Sequence, residues 1–195
     1  FKGGIVTSAR AGEIDGATYT VGVLVQCNYG SREQLRIAGV PVGMEISDLL
    51  PERPGPDGSP VEADDGADRE GSIIVVVATD APVLPHQLER IATRVSLGLG
   101  RNGSTSGNGS GDIFIAFSTA NRTAARARDS VAPLEILANE RLNPIFGATV
   151  HATEEAIINA MVAAETMTGA DDVTVHRLPH DRLRDVLRRY NRLTR

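Results

Sequence analysis

The chain has 195 residues, enough for one globular domain with a sizeable core, and its Gly and Pro show no repeating period, so it is neither collagen-like nor disordered in composition. A net charge of −5 with only 4% aromatic residues argues against a nucleic-acid partner. No apolar run approaches the roughly 18 residues of a membrane span, and "FKGGIVTSAR" lacks the layout of a signal segment, so a soluble, cytoplasmic fragment of a longer chain with no membrane partner is expected.

In chain order, residues 1 to 50 read as mostly β. "ATYTVGVLVQCNYG" alternates loosely and is rich in β-branched residues, with glycines at 3, 4, 12, 16 and 22 marking turns or bulges. The lone Cys27 excludes an internal disulfide. Residues 51 to 71, "PERPGPDGSPVEADDGADREG", hold four prolines and seven acids (Glu52, Asp57, Glu62, Asp64, Asp65, Asp68, Glu70) against Arg53 and Arg69. This segment carries the whole net charge and too few apolar residues to offset the entropy of ordering, which predicts a mobile loop. A structureless loop of this length inside a domain is usually functional or cleavable.

From Ser72 onward the pattern is β-α-β followed by helices. Residues 72–79 read as a strand buried on both faces, because the apolar run is continuous. Leu84, Leu88, Ile91 and Val95 fall at helical spacing, and "GDIFIAFSTA" is the next strand, with Ile113, Ile115 and Phe117 on one face. The stretch from Arg128 to Gly169 reads as mostly helical, with Thr153 as an N-cap and Gly169 as the C-terminal stop. A short strand in "DDVTVHRLP" and an amphipathic helix from Asp181 to Leu193 complete the chain, the arginines of that helix forming a solvated face.

Several motifs are set aside. Gly98-x-Gly100-x-x-Gly103 matches the dinucleotide fingerprint by letter, but it ends a helix and precedes a strand, the reverse of the required context. A flexible glycine-serine loop is the first reading of residues 98–112; another is that glycines free backbone N–H groups and bring Ser110 and Asp112 to a reacting centre. Three Asn-x-Ser/Thr triplets, at Asn102, Asn108 and Asn121, are chance matches in polar loops. His86, His151, His176 and His180 show no ligand spacing, so no metal or other cofactor is expected. Sequence order leaves a Ser-His-Asp triad open, but no G-x-S-x-G elbow anchors one.

Ser72 is the candidate nucleophile. A serine hydroxyl needs a base, and cleavage of the bond before the serine would supply one, its own α-amine, which titrates at about 7.7–8.0. That solution calls for a small residue before the serine, a loose loop upstream and a rigid strand after. Gly71, residues 51–71 and the strand supply all three.

"GSIIVVVATDAPVLPHQLERIATR", "SGNGSGDIFIAFSTAN", "YTVGVLVQCNYG" and "HATEEAIINAMVAAETMTG" resemble the self-processing L-aminopeptidase/D-esterase and β-peptidyl aminopeptidase family, over nearly the whole chain outside residues 51–71. The resemblance implies an α/β fold: a four-layer α/β/β/α sandwich, similar to N-terminal nucleophile hydrolases with different connectivity and shared with ornithine acetyltransferases. It implies cleavage of Gly71–Ser72, with residues 1–71 the C-terminal part of an α chain and 72–195 a β chain. Ser72 would be the nucleophile, Ser110 and Asp112 the polar pair that assists proton movement, and Asn28 an oxyanion donor. The implied partners are short peptide, amide or ester substrates with a free amino terminus, and further copies in a homo-oligomer of four or more. Family α chains extend upstream of the stretch matching "FKGG", so the chain is read as one domain of a longer precursor. Two other readings are an acyltransferase of the ornithine-acetyltransferase type, against which serine rather than threonine argues, and an unprocessed, non-catalytic binding or assembly protein.

Overall fold

A computed structural model describes residues 1–63, 71–126 and 130–193. Strand β1 (Ile5–Ile14) turns into β2 (Ala17–Asn28) through Asp15 and Gly16, both at positive φ (49° and 84°), the backbone that a tight two-residue hairpin requires. The short helix α1 (Val42–Glu45) follows, then a hairpin of β3 (Glu52–Pro54) and β4 (Pro60–Glu62). Strand β5 (Ser72–Thr79), helix α2 (Pro85–Arg101) and strand β6 (Ile113–Ser118) form a β-α-β unit. Helix α3 (Asn143–Ala163), the short strands β7 (Met167–Thr168) and β8 (Thr174–Val175), and helix α4 (His180–Arg189) complete the order.

The main sheet runs β1-β2-β5-β6, antiparallel except for the β5–β6 pair, which is parallel across its α2 crossover. Alternation divides it. Val21, Val23 and Val25 of β2 and Ile73, Val75 and Val77 of β5 are fully buried beneath α2 and α3. The opposite face carries Ile5, Leu24, Ile113, Ile115 and Phe117, all exposed by between 39% and 63%. The described residues thus build one helical layer on one sheet and leave the sheet's second face open and apolar. The 72–79 strand is placed as expected, but only its helix-side face is closed within this chain; Ser72, Ile74, Val76 and Ala78 lie on the open side. The split of β6 into two faces is as read from the sequence.

Helix α2 begins at Pro85, tolerated at a first-turn position whose N–H has no helical partner. The fully buried Gln87 closes that end. Its Oε1 accepts from the Leu84 N–H (3.1 Å), and its amide donates to the Leu137 carbonyl (2.8 Å) and Asn139 Oδ1 (2.9 Å). Near the other end Gly98 lies against α3: a β-carbon there would stand 2.6 Å from Thr153 Cβ. Thr153 is β-branched inside a helix and cannot swing away. Gly98→Ala therefore costs about 1–3 kcal/mol by forcing the helices apart. Calorimetry should find the melting temperature several degrees lower, and an unchanged value would contradict this packing.

Several expectations are corrected. Residues 51–63 are not a featureless loop. Gly58 at φ 79° and Asp57 Oδ1, which accepts from the Ser59 N–H (3.0 Å), close the β3–β4 hairpin, and Glu52 pairs with Thr174 of β8. The expectation for the remainder of that loop falls on residues 64–70, outside the described residues. The stretch read as mostly helical from Arg128 becomes regular helix only at Asn143; 127–129 lie outside the described residues, and 130–142 are irregular apart from one turn. Thr153 is therefore buried in mid-helix rather than at a cap, and Gly169 lies beyond the helix end, where its N–H donates to the Val173 carbonyl (2.8 Å) to close the β7–β8 turn. The final helix spans His180–Arg189, and Arg182 grips Asp48 with two hydrogen bonds (2.7 and 2.6 Å). Among the described residues no helix is long and apolar enough to cross a membrane.

Candidate active site

Ser72 is the first residue of β5, directly opposite Asn28, the last residue of β2. The antiparallel register therefore places the candidate nucleophile and the oxyanion candidate side by side on the open face of the sheet. Two features fix Ser72 from the β6 side. The Gly111 N–H donates to Ser72 Oγ (3.0 Å), and Asp112 Oδ1 accepts from the N–H of Ile73 (3.0 Å). Asp112 holds the residue after the nucleophile, and its second oxygen, Oδ2, is buried with no hydrogen-bond partner among the described residues. A buried carboxylate oxygen without a donor is costly, which makes it a ready hydrogen-bond acceptor for an ammonium group.

Glycine shapes both flanks of this arrangement. A β-carbon on Gly111 would stand 3.1 Å from Ser72 Oγ, crowding the candidate nucleophile. One on Gly71 would stand 1.9 Å from the Asn28 carbonyl oxygen, so the strand end reaches its register only because Gly71 has no side chain.

Of the sequence-predicted site residues, Gly71, Ser72, Asn28 and Asp112 come together. Ser110 lies two residues from Asp112 in the same loop, its N–H donating to the Gly107 carbonyl (3.0 Å), but its hydroxyl makes no hydrogen bond to Ser72 among the described residues. The sequence reading did not single out the Gly111 N–H, although "NGSGD" carried the signal: glycine beside two polar residues frees the backbone for close approach. Glycines 98 and 100 lie inside α2 and Gly103 just after it at φ 100°, so the fingerprint does close a helix.

Rival nucleophiles nearby are quiet. Burial pushes the Cys27 thiol up to about 12, and burial raises the Tyr29 phenol too, with smaller contributions from Cys27 and Asp112. Both therefore stay neutral at physiological pH. Among the described residues no side-chain base is hydrogen-bonded to Ser72 Oγ; its one partner is a donor, suited to stabilising developing negative charge.

The chain is similar to known proteins along nearly its whole length. The family model described as peptidase family S58 matches residues 1–175. The chain is 52% identical over 194 residues to the beta-peptidyl aminopeptidase BapA of Sphingosinicella microcystinivorans, covering 99% of this chain and 49% of that protein. Among solved structures, the L-aminopeptidase D-Ala-esterase/amidase of Ochrobactrum anthropi, described as a variant of the Ntn hydrolase fold, superposes with a TM-score of 0.83 at 46% identity, over 100% of this chain and 50% of that one. A beta-aminopeptidase from a Burkholderia species superposes with a TM-score of 0.76 at 38% identity, over 97% and 50%. The chain spans about half the length of the curated relatives it matches. It has the α/β fold of these Ntn-hydrolase-type aminopeptidases, and it belongs to peptidase family S58.

Proposed function

We propose that the protein is a self-cleaving serine aminopeptidase that releases N-terminal residues from short peptides, amides or esters. The observation that carries this reading is the placement of Ser72 behind a side-chain-free residue and opposite Asn28, with a backbone N–H on its Oγ. In processing, Ser72 Oγ attacks the Gly71 carbonyl carbon, the Gly71–Ser72 amide bond breaks, and the acyl group passes to the oxygen. Water hydrolyses that ester, leaving a Gly71 carboxylate and a Ser72 α-amine. The cut divides the domain into an α part, 1–71, and a β part, 72–195.

In turnover the new amine takes the Ser72 hydroxyl proton as Oγ attacks the substrate carbonyl and returns it to the leaving amine or alcohol. Water then hydrolyses the acyl-enzyme to release the N-terminal residue. Asn28 faces the oxyanion, where one donor contributes roughly 3–4 kcal/mol, while the Gly111 N–H holds Ser72 Oγ in place. Asp112 orients the Ser72 terminus, and Ser110 assists proton movement. Assembly into a homo-oligomer of four or more copies accompanies this reading. The acyltransferase and the non-catalytic alternatives are not favoured, since the curated relatives are named as aminopeptidases. The intact protein should hydrolyse aminoacyl p-nitroanilides with a free amino terminus and leave the N-acetylated analogues untouched. Equal rates on both, or none on either, would overturn the substrate class.

A further inference from the structure

The open face of the main sheet carries Glu13, Thr18 and Thr20 at its hairpin end and is more apolar toward Ser72. There the outward side chains of β2 are Leu24, Gln26 and Asn28, beside Ile5 of β1 and Ile74 of β5. Gln26 is out of place there. It stands opposite Ile5 on one side and Ile74 on the other, and among the described residues its carboxamide has no hydrogen-bond partner. An apolar sheet face of this extent is one that another layer covers, and a glutamine beneath such a layer must find a partner or carry a desolvation cost. The register offers three polar neighbours: Asn28 on the same strand, Ser72 opposite Asn28, and Thr7 opposite Leu24. Ser72 Oγ is already held by the Gly111 N–H, and Thr7 lies diagonally, away from the nucleophile. Asn28 is two residues along one strand, about 7 Å between α-carbons, a gap that two carboxamides bridge by ordinary rotation about their χ angles.

An oxyanion donor of the carboxamide type has a specific weakness. Its oxygen and nitrogen ends are nearly the same shape, and only the nitrogen end stabilises a negative charge. Something must fix which end points at Ser72, and the exposed carboxamide of Asn28 has no hydrogen-bond partner among the described residues. We infer that Gln26 is a positioning residue for the reaction: its Oε1 accepts one N–H of Asn28, so that the other N–H faces the oxyanion formed at Ser72. This rests on the proposed role of Asn28.

The test is a double-mutant cycle in the intact protein, reading kcat, KM and thermal midpoint. Gln26→Leu suits an apolar face, so its midpoint should not fall. Its kcat should drop about 10- to 100-fold with KM within a factor of two, and Gln26→Leu added to Asn28→Ala should cost nothing further. Full kcat in Gln26→Leu, or the same loss with and without Asn28, would overturn the inference while leaving Asn28 in its role. Full kcat in Asn28→Ala would instead remove the proposed oxyanion donor, and the inference with it. A Gln26→Leu variant that loses kcat only together with its midpoint would also count against it, since the loss would then be structural.

Discussion

Replacing Ser72 with alanine should leave the intact protein as a single uncleaved band on a denaturing gel and lower turnover by about 10⁴- to 10⁶-fold. The size follows from two functions residing on one residue. Without Oγ there is no attack on the Gly71 carbonyl, and without that cleavage there is no α-amine to serve as base. Stability should barely change. Ser72 is half-buried, and among the described residues its hydroxyl accepts a single hydrogen bond, from the solvent-facing Gly111 N–H. A variant that folds with a normal melting temperature, stays in one piece and is inert is the expected outcome. Normal cleavage in Ser72→Ala would end the proposed mechanism.

Gly71→Ala should slow processing about 100-fold, although the change adds one methyl group and touches neither Oγ nor a charged side chain. The new β-carbon would lie 1.9 Å from the carbonyl oxygen and 2.7 Å from the carbonyl carbon of Asn28, and 3.2 Å from the Tyr29 α-carbon. These are backbone atoms of a paired strand and cannot rotate aside, so the end of β5 must move. A shift of about 1 Å takes the scissile carbonyl out of attacking geometry, and misplacements of that order cost near this factor. A time course of band intensities after expression measures it. Cleavage of Gly71→Ala at the wild-type rate would show that the approach to Asn28 is not needed for the reaction.

The chemistry of the site was legible where it lies in local sequence, and less so where it depends on distant packing. The continuous apolar run after Ser72 located β5 to the residue, and alternation in "IFIAF" assigned both faces of β6. The resemblance carried Asn28 and Asp112 to the same place, and the register and the Ile73–Asp112 hydrogen bond put them there. Helix α3 was misplaced because local rules favoured Thr153 before two glutamates as a start. In the fold those glutamates serve as ion-pair partners, Glu154 for Arg101 and Glu155 for Arg10, while Thr153 packs on Gly98. Nothing local to residues 150–155 reports a helix crossing more than fifty residues away. The β3–β4 hairpin was missed for a related reason: its composition is that of a loop, and its order comes from pairing with β8. Gln26 went unnoticed because a polar residue in a loosely alternating strand is unremarkable until its neighbours across the register are known.

Turnover in the proposed chemistry needs a free amine on the residue that also bears the attacking oxygen. N-terminal sequencing of the purified, active protein tests that requirement most directly. One of its chains should begin Ser-Ile-Ile-Val-Val-Val, from position 72. Active material in which no chain begins there would contradict the account at its root.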